Sequence, residues 1–143
     1  MKVLLDTCIV ADVLQHREPF WKDSYQVMLT IANRHAEGFL AARSFGDIYH
    51  MTRQATQSDQ ETRKILSTLL IPFGLLDTAG ADCRRALSAE AGDYEDAMMV
   101  EAARREGMDC IVTRDRRGYG KSPITVYDPA EFLCLFSPEE EKL

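Results

Sequence analysis

Short apolar runs recur along this chain between longer stretches with helical spacing, and that alternation predicts the fold class. Lys2-Val3-Leu4-Leu5 is apolar without alternation, as a parallel strand buried on both faces should be. Thr7–Leu14 reads as a helix with Ile9, Val10, Val13 and Leu14 on one side. Glu18-Pro19 resets the chain, and Pro19 suits the first turn of a helix that carries Phe20, Val27, Met28, Ile31 and Ala32 inward and stops near Gly38. A second strand follows over residues 39–42. Ser44 is placed to cap a helix holding Phe45, Ile48, Tyr49 and Thr52.

Ser58-x-x-Glu61 has the form of a capping box, opening a helix through Ile65, Leu66, Leu69 and Leu70 that Pro72 ends. Residues 73–76 form a third strand, with a helix near Ala81–Ala89 after it. Gly92 or Asp93 opens an amphipathic helix through Ala97, Val100, Ala103 and Arg104, closed at Gly107. Strands over 109–113 and 124–127 follow, then a short helix from Asp128-Pro129. Strands alternating with helices predict a three-layer α/β/α domain on a mainly parallel five-stranded sheet. The expected division is one domain over residues 1–136 and a frayed acidic tail over 137–143.

The length of 143 residues suits one such domain with a proper core. An apolar share of 45% and a charged share of 28% are ordinary for a water-soluble protein. No run approaches the ~20 apolar residues of a membrane span, and the first residues have no signal-peptide layout. Cys8, Cys83, Cys110 and Cys134 form no Cys-x-x-Cys pair and read as small buried hydrophobes, which fits a reducing cytoplasm.

The net charge of −6 argues at first against a nucleic-acid partner. Its distribution weakens the objection. Arg104, Arg105, Arg114, Arg116, Arg117 and Lys121 stand against Glu106, Asp109 and Asp115, leaving +3 over residues 104–121 and −9 elsewhere. A solvated loop is the plain reading of such a cluster, and phosphate contact is the functional one.

Four acidic residues make the candidate chemistry. Asp6 and Asp115 follow apolar strands, where ligands of parallel sheets bind, and Asp47 and Asp96 lie in helical stretches. Strand-end carboxylates are costly to desolvate unless something positive meets them, so the set suggests a shared divalent cation and phosphodiester hydrolysis. Asp6 also suits a helix N-cap, but capping alone does not explain Asp115. For Asp93 capping is the favoured role, with ligation as the alternative. Asp96 lies three residues on, on nearly the same helix face. Asp12 reads as a surface helix residue and Asp109 as a strand-leading turn. His16, His35 and His50 share no ligand spacing. Met98-Met99 reads as core or dimer contact. Tyr119, between Gly118 and Gly120, reads as a flexible turn, with base stacking as the alternative.

Leu4-Leu5-Asp6-Thr7-Cys8, Asp93-Tyr94-Glu95-Asp96-Ala97 and Thr113-Arg114-Asp115, in that order, resemble the motifs of PIN-domain ribonucleases of the VapC toxin type. The resemblance spans residues 2–133. It implies a metal-dependent endoribonuclease, the toxin of a toxin–antitoxin pair, with RNA as substrate, an antitoxin partner and a homodimer. It assigns Asp6, Asp47, Asp96 and Asp115 as catalytic carboxylates. Asp6, Asp96 and Asp115 would hold Mg²⁺ or Mn²⁺, with Asp93 or Asp47 as a further ligand or water positioner and Thr113 in support. Arg114, Arg116, Arg117 and Lys121 would contact RNA phosphates. Two departures stand out: Asp47 occupies a place where many relatives carry Glu, and Cys8 replaces a polar residue. They keep open a PIN fold that binds RNA or protein without cutting.

Two other α/β classes also put an Asp after the first strand. A dehalogenase-like phosphatase needs a second Asp where Cys8 stands. A receiver domain needs an acceptor Asp after the third strand, for which Asp77 is a poor stand-in, and a Lys that does not follow Tyr127.

Overall fold

The computed structural model describes residues 1–90 and 92–136, so the expected acidic tail over 137–143 lies outside the described residues. Five strands, β1 (Lys2–Leu5), β2 (Glu37–Ala41), β3 (Phe73–Leu76), β4 (Cys110–Val112) and β5 (Thr125–Tyr127), form one sheet in the order β3-β2-β1-β4-β5. Every neighbouring pair is parallel. Helices α1 (Thr7–Leu14), α2 (Trp21–Ala32), α3 (Ser44–Thr56), α4 (Asp59–Leu69), α5 (Gly80–Ala86), α6 (Tyr94–Arg105) and α7 (Pro129–Cys134) connect and flank them.

Alternate side chains of the central strands point to opposite layers, which divides the core in two. Val3 and Leu5 of β1, Cys110 and Val112 of β4 and Leu40 of β2 face one layer, packing with Ile9, Val27, Ile31, Ile48, Leu69 and Phe132. Leu4, Ile111 and Ala41 face the other, against Met99, Val100 and Ala103 of α6 and against Tyr119. The α/β/α layering expected from the alternation is therefore present.

Chain order reverses between β1 and β4: β1 continues leftward to β2 and β3, while the later crossover returns to β4 and β5. Connections diverge at such a switch point, and a crevice opens beyond the carboxyl ends of the two strands. Leu5 pairs with Val112 there, and Asp6 N–H donates to the Val112 carbonyl at 2.9 Å. Asp6 and the Thr113–Asp115 segment thus leave the sheet side by side.

Several local expectations give way to packing. Gly38 does not end α2, which stops at Ala32; it is a buried residue of β2. A Cβ at Gly38 would lie 2.5 Å from Ile31 Cγ2 and 2.9 Å from Phe73, so glycine admits the helix and the neighbouring strand so close. Ser44 is the first residue of α3, not its cap; its Oγ accepts a hydrogen bond from Thr7 Oγ1 at 2.6 Å, tying α1 to α3. Phe20 faces outward at 42% exposure and carries the Arg114 guanidinium over its ring at 4.3 Å. α5 ends at Ala86, short of Ala89. Ser58 caps α4 by accepting from Glu61 N–H, but its own N–H donates to Thr56 Oγ1, so the capping box is only half formed; Asp128 and Glu131 complete one at α7.

Asp12 is the largest correction. It is fully buried between α1 and α2, where Arg114 Nε and Nη2 donate to it at 2.9 and 3.0 Å and Ser24 Oγ at 3.3 Å. A second buried carboxylate, Asp82 of α5, receives Arg105 in the same manner, at 3.0–3.2 Å, and accepts from Ala79 N–H. Burial works to raise the Asp82 pKa, but Arg105 and the Ala79 N–H outweigh it and hold it below the usual range. The cysteines divide: Cys110 is buried, Cys8 and Cys83 are half-buried, and Cys134 is exposed.

Candidate active site

Asp6 occupies the N-cap of α1. Its Oδ1 accepts from Thr7 N–H at 2.7 Å, and its Oδ2 accepts from Thr113 Oγ1 at 2.8 Å. Thr113 is completely buried, and its hydroxyl oxygen also accepts from Asp115 N–H at 3.2 Å and lies 3.6 Å from Cys8 Sγ. One hydroxyl therefore joins the ends of β1 and β4, so Thr113 sets the orientation of Asp6 and of the Asp115 backbone. Cys8 packs against this junction. Burial first, then the charge of Asp6, pushes its thiol pKa up, which keeps it protonated and unreactive.

Asp93 is the N-cap of α6, its Oδ1 accepting from Glu95 and Asp96 N–H at 2.8 and 3.1 Å. Its own N–H donates to Gly118 O at 2.7 Å, docking the start of α6 onto the segment that follows Asp115. Capping is thus its visible role, and its second oxygen keeps lone pairs for a ligand. Asp96, one turn into α6, is half-buried, and its pKa is pushed up to about 7. Burial is the largest cause, followed by the charges of Asp6, Asp93, Asp115 and Glu95. Asp115 itself is exposed, with Arg117 Nε 3.9 Å away.

The structure therefore brings Asp6, Asp93, Asp96 and Asp115 to one end of the sheet. Asp47 is exposed on the first turn of α3 and is not among the charges that act most strongly on Asp96. The head of α3 does adjoin that of α6, because Arg43 reaches Glu95 at 3.7 Å.

Two neighbours, Gly118 and Tyr119, have places in the site that the sequence did not indicate. Gly118 lies so close to Asp96 that any Cβ there would strike its Oδ2. Tyr119 is not a flexible turn. It is 4% exposed, anchored in the core, and its hydroxyl is the one buried side-chain polar atom without a hydrogen-bond partner among the described residues. Burial, then the charges of Asp6 and Asp96, raise its pKa well above the ordinary value, so it stays neutral beside the carboxylates. The Gly-Tyr-Gly spacing was the available signal, but glycines flanking an aromatic residue read first as a turn.

The basic cluster is less free than its charge count implied. Arg105 and Arg114 are committed to the buried Asp82 and Asp12, and Arg116 Nη1 pairs with Glu131 at 2.8 Å. Arg114, expected on RNA, is instead a fastener between β4 and the α1–α2 pair. Arg117, with a side chain 98% exposed, and Lys121 keep outward charge.

Among the described residues, no three Asp, Glu, His or Cys side chains are gathered closely enough to hold a metal ion between them. The chemistry of the donors nonetheless fits a hard divalent cation. All are carboxylates, and Asp96 sits in an excess of negative charge that a cation would neutralise. An open set of this kind suits an ion that keeps several waters, as Mg²⁺ does.

A family model described as a PIN domain matches residues 2–117. No curated protein matches the chain significantly. Among solved structures, the chain is similar to FitAcB from Neisseria gonorrhoeae, with a TM-score of 0.64 at 14% identity over 90% of this chain and 98% of that one. It is also similar to a toxin–antitoxin complex from Klebsiella pneumoniae, with a TM-score of 0.63 at 16% identity over 89% and 97%. VapBC2 from Rickettsia felis, solved on a DNA fragment from its promoter, gives 0.61 at 13% identity over 90% and 98%. At these identities the likeness speaks for the fold. No helix among the described residues is long and apolar enough to cross a membrane.

Proposed function

Since the chain belongs to the PIN-domain family, we propose that it is a divalent-metal-dependent endoribonuclease that hydrolyses RNA phosphodiesters. The carrying observation is Asp96, half-buried at the head of α6 and held among the charges of Asp6, Asp93 and Asp115 at the switch point of the sheet. Like charges are not brought together this way without cost, and a cation followed by a phosphate offsets it.

Asp6 and Asp96 would hold Mg²⁺ or Mn²⁺, with Asp115 and Asp93 reaching it directly or through its waters. When bound, the ion lowers the pKa of water and neutralises charge building on the phosphate. The remaining work falls to the chain. Thr113 keeps Asp6 oriented through its hydroxyl, and Asp93 fixes the first turn of α6 so that Asp96 faces the crevice. Asp47, exposed on the neighbouring helix head, would orient an attacking water. Arg117 and Lys121 supply the positive charge that retains the RNA backbone.

The likeness to a toxin–antitoxin complex supports a place for the chain as the toxin of such a pair, with an antitoxin protein as partner; a homodimer is the assembly proposed with that role. Four free cysteines fit a reducing cytoplasm. A small open reading frame directly upstream, whose product co-purifies with this chain, is the expected finding.

The direct test is cleavage of RNA by freshly purified protein. Activity should vanish in excess EDTA, return with Mg²⁺ or Mn²⁺, and be absent from Asp6→Asn and Asp96→Asn. Equal cutting in chelator would overturn the metal mechanism. The open carboxylate set favours one second reading, a PIN fold that binds RNA or protein without cutting. That reading expects no cleavage and no rise of the melting temperature in Mn²⁺. The nuclease reading expects a rise that Asp6→Asn abolishes.

A further inference from the structure

Beside the carboxylates lies a cavity of about 360 Å³, bounded by the end of α5 and the residues after it, the side of α6 that carries Ala97, Val100, Glu101 and Arg104, and the segment 119–123. That volume falls in the roughly 300–1,000 Å³ range of small-molecule sites. Ala97 and Val100 of α6 form an apolar floor, and Tyr119 walls the side towards the acidic site. Arg85, Arg104 and Lys121 stand round it, against two carboxylates, Glu90 and Glu101. Glu101 is engaged by Arg104 at 3.4 Å, whereas Arg85 and Lys121 form no ion pair among the described residues. With Arg104 and Glu101 paired, Arg85 and Lys121 face the single carboxylate of Glu90, so the lining is net positive by one on a chain of charge −6, which favours an anion.

Its position identifies the kind of anion. Ala97 follows Asp96 directly, and Tyr119 feels the charges of both Asp6 and Asp96 across the shared wall. An apolar floor suits the face of a base. The hydroxyl of Ser88 suits a ribose, while that of Ser122 is held by the Ile124 backbone and shapes the wall, and the unpaired cations suit a phosphate. Tyr119, Lys121 and Ser122 lie past residue 117, where the match to the PIN model ends.

We infer that this cavity is a nucleotide subsite, taking one base and its 5′ phosphate from the RNA strand next to the bond being cut. The inference rests on the ribonuclease reading for its substrate, but the site can be tested without cleavage. Anisotropy of a fluorescein-labelled, ten-nucleotide single-stranded RNA in EDTA reads binding alone, and calorimetric titration with 5′-AMP reads the single nucleotide. Arg85→Glu and Ser88→Leu alter exposed residues of the lining, so the fold should survive, which melting curves check. Lys64→Glu on α4, in the opposite layer, controls for the change in total charge.

Both lining variants should weaken RNA and AMP binding by about fivefold or more, with Lys64→Glu within about twofold of wild type. If the wild type binds and cuts RNA while the lining variants bind RNA and AMP as it does, the subsite is overturned and the ribonuclease stands. If the wild type binds AMP, loses it in Arg85→Glu, and cuts no RNA in Mn²⁺, the nucleotide site stands and the ribonuclease reading falls. Failure to bind either ligand overturns the subsite.

Discussion

Asp96 carries the electrostatic cost of the site, and its pKa makes that cost measurable. An unfolded aspartate titrates near 3.8, and the folded one near 7. Below the lower value both states hold the proton and the penalty is absent. It grows as pH rises through that window and is complete above about 7. Metal-free protein should therefore gain stability on acidification from pH 8 to pH 5, by roughly 1–2 kcal/mol after discounting for a half-exposed group. Melting curves in chelator read this, and Asp96→Asn should flatten the dependence while leaving the metal-free fold as stable as wild type or more so. A loss above ~2 kcal/mol would instead make Asp96 a structural hydrogen-bond acceptor. The Tyr119 hydroxyl gives a companion test. It is buried and unpartnered, so Tyr119→Phe should be neutral or stabilising by up to about 1 kcal/mol in chelator. A clear destabilisation would mean that the nearby Asp6 carboxylate or a bound water satisfies it.

Two Arg–Asp fasteners hold elements together at the scale of helices and strands. Arg114 joins the end of β4 to α1 and α2 through Asp12, and Arg105 joins α6 to α5 through Asp82. In each the carboxylate is wholly buried, so removing it strands a charge on the partner. Asp12→Ala should cost about 3–5 kcal/mol in urea unfolding. It should also loosen the turn that bears Asp115, because the next residue along the chain from Arg114 is that carboxylate. Reversal of Arg117 should be nearly silent in stability, since its side chain is solvent-exposed. The contrast separates structural arginines from those free to meet RNA.

For the whole molecule, RNA affinity should depend on few outward cations. Neutralising Arg117 and Lys121 together should weaken binding and flatten its salt dependence by roughly one slope unit or less per lost contact. Binding titrations across ionic strength measure it, and an unchanged slope would return both residues to the role of solvated charges. On the proposed mechanism Mn²⁺ would bind the folded carboxylate set and not the unfolded chain, so its addition should raise the melting temperature of the wild type. Asp6→Asn and Asp96→Asn should lose that rise.

The element order, the parallel sheet and the strand-end positions of Asp6 and Asp115 were legible in the sequence, because apolar runs of strand length and helical spacing are local signals. The caps at Ser58, Asp93 and Asp128 were legible for the same reason: each acts within a few residues of itself. What only the tertiary structure decided involves partners far apart in the chain. Asp12 looks like a surface residue until Arg114, 102 positions away, closes on it. Gly38 looks like a helix stop until Phe73 packs beside it in the sheet. Tyr119 looks like a turn until α6 and β1 set two carboxylates beside its hydroxyl. Periodicity reports which face of an element is apolar, but burial of a charge, close approach of a backbone and the field on a carboxylate depend on what a second element brings to that face.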